Sequence, residues 1–152
     1  MANAATTDPL NPDEEAFLRA LGRVMSFLPR VVDADMLEEQ QISGTEYMVL
    51  VHLADAPHNQ LSMSELANAC GLSISGMSRL VKRLESQGLV LRAQSRQDGR
   101  SHLAVLTSSG LARLEQAWPT NLASVRRHVF SRIEGCDVAA AAEVLARITP
   151  GH

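Results

Sequence analysis

The chain has 152 residues, 45% hydrophobic but only 3% aromatic, with a formal net charge of −3. That length suits one domain, or a small domain with helical extensions, whose core must be filled by Leu, Val, Ala and Met. No apolar run approaches the roughly 18 residues that a spanning helix needs, and the first residues lack the basic start and apolar centre of a signal peptide. Membrane and secreted classes are therefore set aside and a cytoplasmic protein is expected. Two cysteines, Cys70 and Cys136, make no disulfide framework and fit no zinc spacing, so both are expected to be buried thiols. The charge is unevenly spread: residues 1–61 carry net −7, residues 62–107 net +3 and residues 108–152 net +1. A basic stretch on an acidic body is the footprint a phosphate backbone would feel.

Residues 1–10 are read as a short disordered leader. Asn11-Pro12-Asp13-Glu14 then starts a helix, with Asn11 as cap, Pro12 at the first helical position and acids at the positive end of the dipole. Phe17, Leu18, Leu21, Val24, Met25, Leu28 and Val32 recur at helical spacing and give it a broad apolar face, and the pattern runs to about Gln40. Pro29 is expected to kink or divide this helix. Ser43-Gly44-Thr45-Glu46 is a capping box that opens a second helix, with Tyr47, Leu50, Val51 and Leu53 on its buried side. Residues 55–60 read as a polar loop.

Ser62-Met63-Ser64-Glu65 is another capping box, before a short helix that Gly71 should stop in the left-handed conformation. Ser73 caps the next helix, Ile74 to about Gln87, with Gly88 as its stop. Two helices joined by a short Gly-containing turn make a helix-turn-helix. Leu89–Gln94 and His102–Leu106 read as strands joined through Asp98-Gly99, a hairpin signal. Thr107 caps a long helix carrying Leu111, Leu114, Trp118, Leu122, Val125, Val129 and Ile133. Pro119 should bend this helix and Gly135 should end it. Asp137 caps a last helix, Val138 to about Ile148. The expected fold is mainly α with a small β-hairpin wing: a winged helix-turn-helix over residues 43–107, flanked by helices at 11–40 and 108–152.

The helix from Ile74 carries two faces. Ile74, Met77, Leu80, Val81 and Leu84 form an apolar stripe. Ser75, Gly76, Ser78, Arg79, Lys82, Arg83 and Ser86 occupy the rest. Small polar groups in the first turn let a helix enter the major groove, where Arg reads guanine O6 and N7 and Lys holds phosphate. Gly76 costs about 1 kcal/mol relative to Ala inside a helix, which close approach to DNA would explain. A solvated polar face is the plain alternative. In the hairpin tip, Arg100 suits a minor groove, Asp98 can hold its guanidinium, and Arg96 and Ser101 can bond phosphates. His102, beside the wing, can touch phosphate. Ser62 and Ser73 join this surface through the helix starts they cap.

Leu61 to Ala67, Ser73 to Val90, Asp98-Gly99-Arg100 and Leu106-Thr107 together resemble the MarR family of bacterial transcription regulators, with looser similarity in helix order over about residues 12–148. The resemblance implies a homodimer whose first and last two helices intertwine, and binding to double-stranded DNA at a short inverted-repeat operator, usually as a repressor. It also implies a pocket between the dimerisation helices and the winged domain. In that family small aromatic acids, phenols or drugs often bind there and weaken DNA binding.

Candidate ligand residues are Arg19, Arg23, Phe27, His52 and Trp118. Arg19 and Arg23 could meet a carboxylate or form a polar helix face. His52 could line the pocket or be a satisfied surface side chain. Trp118 is read first as an anchor of the dimer core. The family's oxidant-sensing branch uses a cysteine in its first helix, and none precedes Cys70. His52, His58, His102, His128 and His152 are scattered, so no metal or other cofactor is expected. No nucleophile–base pair or phosphate loop points to an enzyme. The remaining alternative is a winged-helix protein-interaction module that does not bind DNA.

Overall fold

A computed structural model of the protein describes residues 8–94 and 102–149. Most of the expected leader, His152 and the hairpin tip with Arg96, Asp98, Arg100 and Ser101 lie outside the described residues.

Helix α1 spans Pro12–Gln40. The Asn11 side chain accepts the N–H groups of Asp13 and Glu14, while Glu14 accepts the Asn11 N–H at 2.8 Å. Pro29 does not divide it. Proline removes one backbone donor, and the bonded turns on either side carry the helix through. Helix α2 spans Gly44–Asp55 and begins at the Ser43/Glu46 capping box. A 3₁₀ turn, Pro57–Asn59, leads into strand β1, Gln60–Ser62. That strand replaces the tail of the expected polar loop. Three residues have no local signature, and pairing with a distant strand creates this one.

Helix α3, Met63–Ala69, starts at the Ser62/Glu65 capping box, and Gly71 takes the left-handed conformation at φ 64°. Helix α4 spans Ile74–Ser86 and Gly88 follows at φ 73°. Strands β2, Val90–Gln94, and β3, His102–Leu106, complete an antiparallel sheet in the order β1-β3-β2. Leu61 faces Ala104 across one ladder and Val90 faces Leu106 across the other.

Helix α5 spans Ser108–His128, one helix with Pro119 inside it. It stops short of Gly135. Val129 leaves helical geometry at φ −117°, ψ −73°, the Ser131 hydroxyl takes the Arg127 carbonyl, and a 3₁₀ turn, Phe130–Arg132, follows. Helix α6 spans Val138–Ile148 with Asp137 as its cap.

The core lies between α2, α3, α4 and the sheet, around the fully buried Leu50, Leu53, Leu66, Met77, Val81, Leu84 and Val90. Met36 of α1 and Ala117 of α5 extend it. Ile74 does not join its stripe. It is 61% exposed, because the first residue of α4 lies beyond the edge of the core that Met77 reaches. Cys136 is exposed in the turn before α6, not buried, and Cys70 is partly buried at the end of α3. Gly110 packs so tightly that a Cβ there would overlap the Leu89 carbonyl oxygen and crowd Leu106. This fixes the start of α5 against the wing.

The second half of α1 is bonded to α5. Gln40 donates to Thr120 at 2.9 Å and Arg113 donates to the Gln40 carbonyl. The Ser124 hydroxyl donates to Asp35 at 2.5 Å, and His128 Nε2 lies 3.0 Å from the same oxygen. Those contacts hold the Asp35 carboxyl below the usual carboxylate range. The Ser124 hydrogen bond is the largest influence, burial opposes it, and His128 and Arg127 add to it.

Candidate nucleic-acid interface and the neighbouring cavity

Helix α4 buries Met77, Leu80, Val81 and Leu84 and turns Ser75, Arg79 and Lys82 to solvent. Its start is fixed by Ser73, whose hydroxyl accepts the Gly76 N–H at 3.1 Å and lies 3.2 Å from the Ser75 hydroxyl. A Cβ on Gly76 would sit 3.1 Å from that same capping oxygen, a close contact at the cap position that Glu46 and Glu65 occupy in the helices capped by Ser43 and Ser62. Ser62 is likewise committed to its own helix. Its hydroxyl accepts the Glu65 N–H at 3.2 Å and donates to the Glu65 carboxylate at 2.6 Å. The hydrogen bonds from Ser62 keep the Glu65 carboxyl below its ordinary range, against a small opposing effect of burial.

The other expected residues separate by environment. Arg79 and Lys82 are exposed and make no ion pair among the described residues. Ser78 is half-buried, and its carbonyl accepts Arg92 Nη2 at 2.6 Å. Arg83 is bonded to Glu46 at 2.6 Å. His102 is exposed at the start of β3.

Arg92 was not foreseen as part of this surface. It ties β2 to α4 through Ser78 and lies 3.8 Å from Glu85. The period of two could have found it, since Arg92 shares a strand face with the buried Val90. Ile74 also belongs here as an exposed apolar group beside Ser75.

A cavity of about 640 Å³ opens behind this unit. Its walls come from α1 (Leu28 to Asp33), α2 from Gly44 to His52, the end of α3 and α5. Arg30 and His52 bring basic groups to the lining, and Tyr47 and Cys70 also border it. The Tyr47 hydroxyl is buried and directed toward Asn121 without completing a hydrogen bond of ordinary geometry. Burial raises the phenol above its usual pKa, partly offset by Asn121. Burial also raises the Cys70 thiol. Of the five expected ligand residues only His52 lines this cavity. Arg19, Arg23 and Phe27 border a separate groove on α1, and Trp118 borders a third, between α2 and α5. The five do not converge because Arg19 and Arg23 lie turns away along α1, while Trp118 is 53% exposed on another side of α5. Among the described residues no group of three His, Cys, Asp or Glu side chains is placed to hold a metal ion.

The profile of the MarR family matches residues 40–101, from the end of α1 to the wing. Sco3205, a MarR family transcriptional regulator from Streptomyces coelicolor solved in complex with DNA, superposes with a TM-score of 0.83 at 27% identity. The match covers 95% of this chain and 90% of that one. The organic hydroperoxide resistance transcriptional regulator of Bacillus subtilis is 30% identical over 82 residues, which are 54% of each chain. The chain thus spans about half the length of that relative. AbsC, a MarR family transcriptional regulator from Streptomyces coelicolor, superposes with a TM-score of 0.80 at 30% identity, covering 93% of this chain and 95% of its own. With a relative matched over nearly its whole length and the family profile falling on the helix-turn-helix and wing, the chain belongs to the MarR family.

Proposed function

We propose that the protein is a homodimeric, sequence-specific DNA-binding regulator of transcription, acting in the cytoplasm as a repressor that a small aromatic or phenolic ligand releases. The observation that carries the DNA-binding reading is the outer face of α4. Its polar and basic residues Ser75, Arg79 and Lys82 are exposed beside a wing, on a helix whose other face is locked into the core. The DNA complex of Sco3205 supports the same reading by similarity. Ser75 and Arg79 would face base edges and Lys82 phosphate. Arg96, Asp98, Arg100, Ser101 and His102 would extend the contact at the wing.

The dimer reading rests on apolar surface that one copy leaves uncovered. Leu18, Val24 and Met25 of α1 are 56%, 55% and 67% exposed, and α6 has no buried residue although Val144, Leu145 and Ile148 form its apolar side. A second copy bringing the same helices would cover both sets, and a two-fold dimer would match an inverted repeat. Residues 11–40 and 108–152 would then be the dimerisation regions around a DNA-binding unit at 43–107.

The effector reading rests on the cavity. It is mainly apolar, borders α1, α2 and α5 together, and offers Arg30 and His52 to an organic anion. Peroxide sensing through Cys70 is disfavoured, because a thiol whose pKa is raised by burial holds little of the reactive thiolate.

The test is fluorescence anisotropy on duplexes recovered from a random-sequence pool. The parent should bind selected duplexes tightly, with an affinity that falls steeply with salt. Arg79→Ala should erase the preference for selected over random DNA. If the parent shows no preference for any duplex, the DNA-binding reading fails, and an interaction module without DNA takes its place. A thermal-shift series with benzoate and salicylate, followed by gel shift, tests the effector reading. Thermal stabilisation together with loss of the shifted band is expected.

A further inference from the structure

Arg83 stands among the exposed basic residues of α4, with its side chain 57% exposed, yet its Nε is engaged by a partner outside that helix. Its Nε donates to Glu46 Oε1 at 2.6 Å, joining the last turns of the candidate recognition helix to the first turn of α2. Glu46 is only 7% exposed, so its charge relies on partners. Its other oxygen accepts the Ser43 N–H at 2.9 Å, and its own N–H donates to the Ser43 hydroxyl at 3.1 Å. The next residue, Gly44, donates its N–H to Asp33 of α1 at 2.7 Å. Asp33, Gly44 and Thr45 all line the cavity. One helical turn therefore caps α2, borders the cavity and holds α4.

We propose that Arg83 is a positioning residue, which clasps the recognition helix to the α2 N-terminus through Glu46 and does not hold phosphate. The apolar stripe of α4 keeps that helix on the core, but apolar burial is non-directional and leaves sliding and rotation weakly defined. A short charge-assisted bond to a fixed carboxylate is directional and sets the register of Ser75 and Arg79 toward the groove. Arg83 resembles its neighbours Arg79 and Lys82 in sequence, but its partner gives it a different task. The proposal rests on the DNA-binding reading above.

The experiment measures binding of the full chain to one duplex selected from a random pool, across a series of salt concentrations. The variants are Glu46→Gln, Arg83→Met and the two combined. Gln serves at the third position of a capping box, so Glu46→Gln keeps the start of α2, and circular dichroism checks the fold of all three. Each single variant should weaken binding about tenfold. The slope of log affinity on log salt should stay that of the parent, and the combined variant should bind no more weakly than either single one. Lys82→Gln, a phosphate contact on this account, should instead reduce that slope by about one. A slope reduced by about one in Arg83→Met overturns the proposal, and so do single effects that add in the combined variant or a Glu46→Gln protein that binds like the parent. A parent that binds no duplex brings down the DNA-binding reading together with this one, whereas a binding parent with additive variants removes the clasp alone.

Discussion

The winged unit and the outer helices are built on opposite terms. From Ser43 to Thr107 each helix start is capped by a side chain, and the apolar residues of α2, α3 and α4 converge on fully buried positions. The first half of α1 and the whole of α6 are also capped, by Asn11 and Asp137, but none of their apolar residues is buried. Local chemistry is sufficient to start all of these helices. Only in the winged unit does one chain supply the packing. The difference separates a part whose apolar residues one copy buries from a part whose apolar residues one copy leaves exposed, with the α1–α5 bonds around Asp35 and Gln40 as the joint between them.

That contrast can be broken by mutation. Leu50→Ala, in the completed core, should cost about 2–5 kcal/mol, read as a lower urea midpoint. Gly110→Ala should cost about 1–3 kcal/mol or more, because the new methyl meets backbone at Leu89, which has no rotamer to yield. Ser73→Ala removes a helix cap and should cost about 1 kcal/mol in the same assay. Met25→Lys, on the uncovered face, should leave helix content unchanged and raise the monomer fraction in sedimentation at low concentration.

The acid limb gives the smallest effect. Burial raises the Glu46 pKa, but hydrogen bonds from Ser43 and the charge of Arg83 prevail and hold it below its ordinary value of 4.5. Its contribution is therefore complete above about pH 4.5 and is lost as pH falls through the lower folded value. Glu46→Gln should flatten the stability profile in that acid window and leave its shape at neutral pH unchanged.

Sequence reasoning reached far where a signal is local. The capping boxes at Ser43 and Ser62 and the cap at Asn11 formed as expected, Asn11 also closing a box with Glu14, and Gly71 and Gly88 adopt positive φ. Both wing strands lie within a residue of their expected bounds. What escaped depends on contacts distant in sequence. Strand β1 exists through pairing with β3, Gly110 is fixed by Leu89, and Ser124 and His128 meet Asp35 across α1 and α5. The apolar period through Val129 and Ile133 continues past the end of α5, since a 3₁₀ turn preserves much of the spacing that marks a helix. At the candidate interface residue types were legible but partners were not. Arg79, Lys82 and Arg83 are all exposed, but Arg83 is also paired with a carboxylate 37 residues earlier.

The central claim is that two copies present two winged units to one duplex. A hydroxyl-radical footprint on a selected duplex tests it most directly. Two protected half-sites related by symmetry are expected, with centres about one helical turn, or roughly 10 base pairs, apart. A single protected patch, or uniform protection without sequence preference, would contradict it.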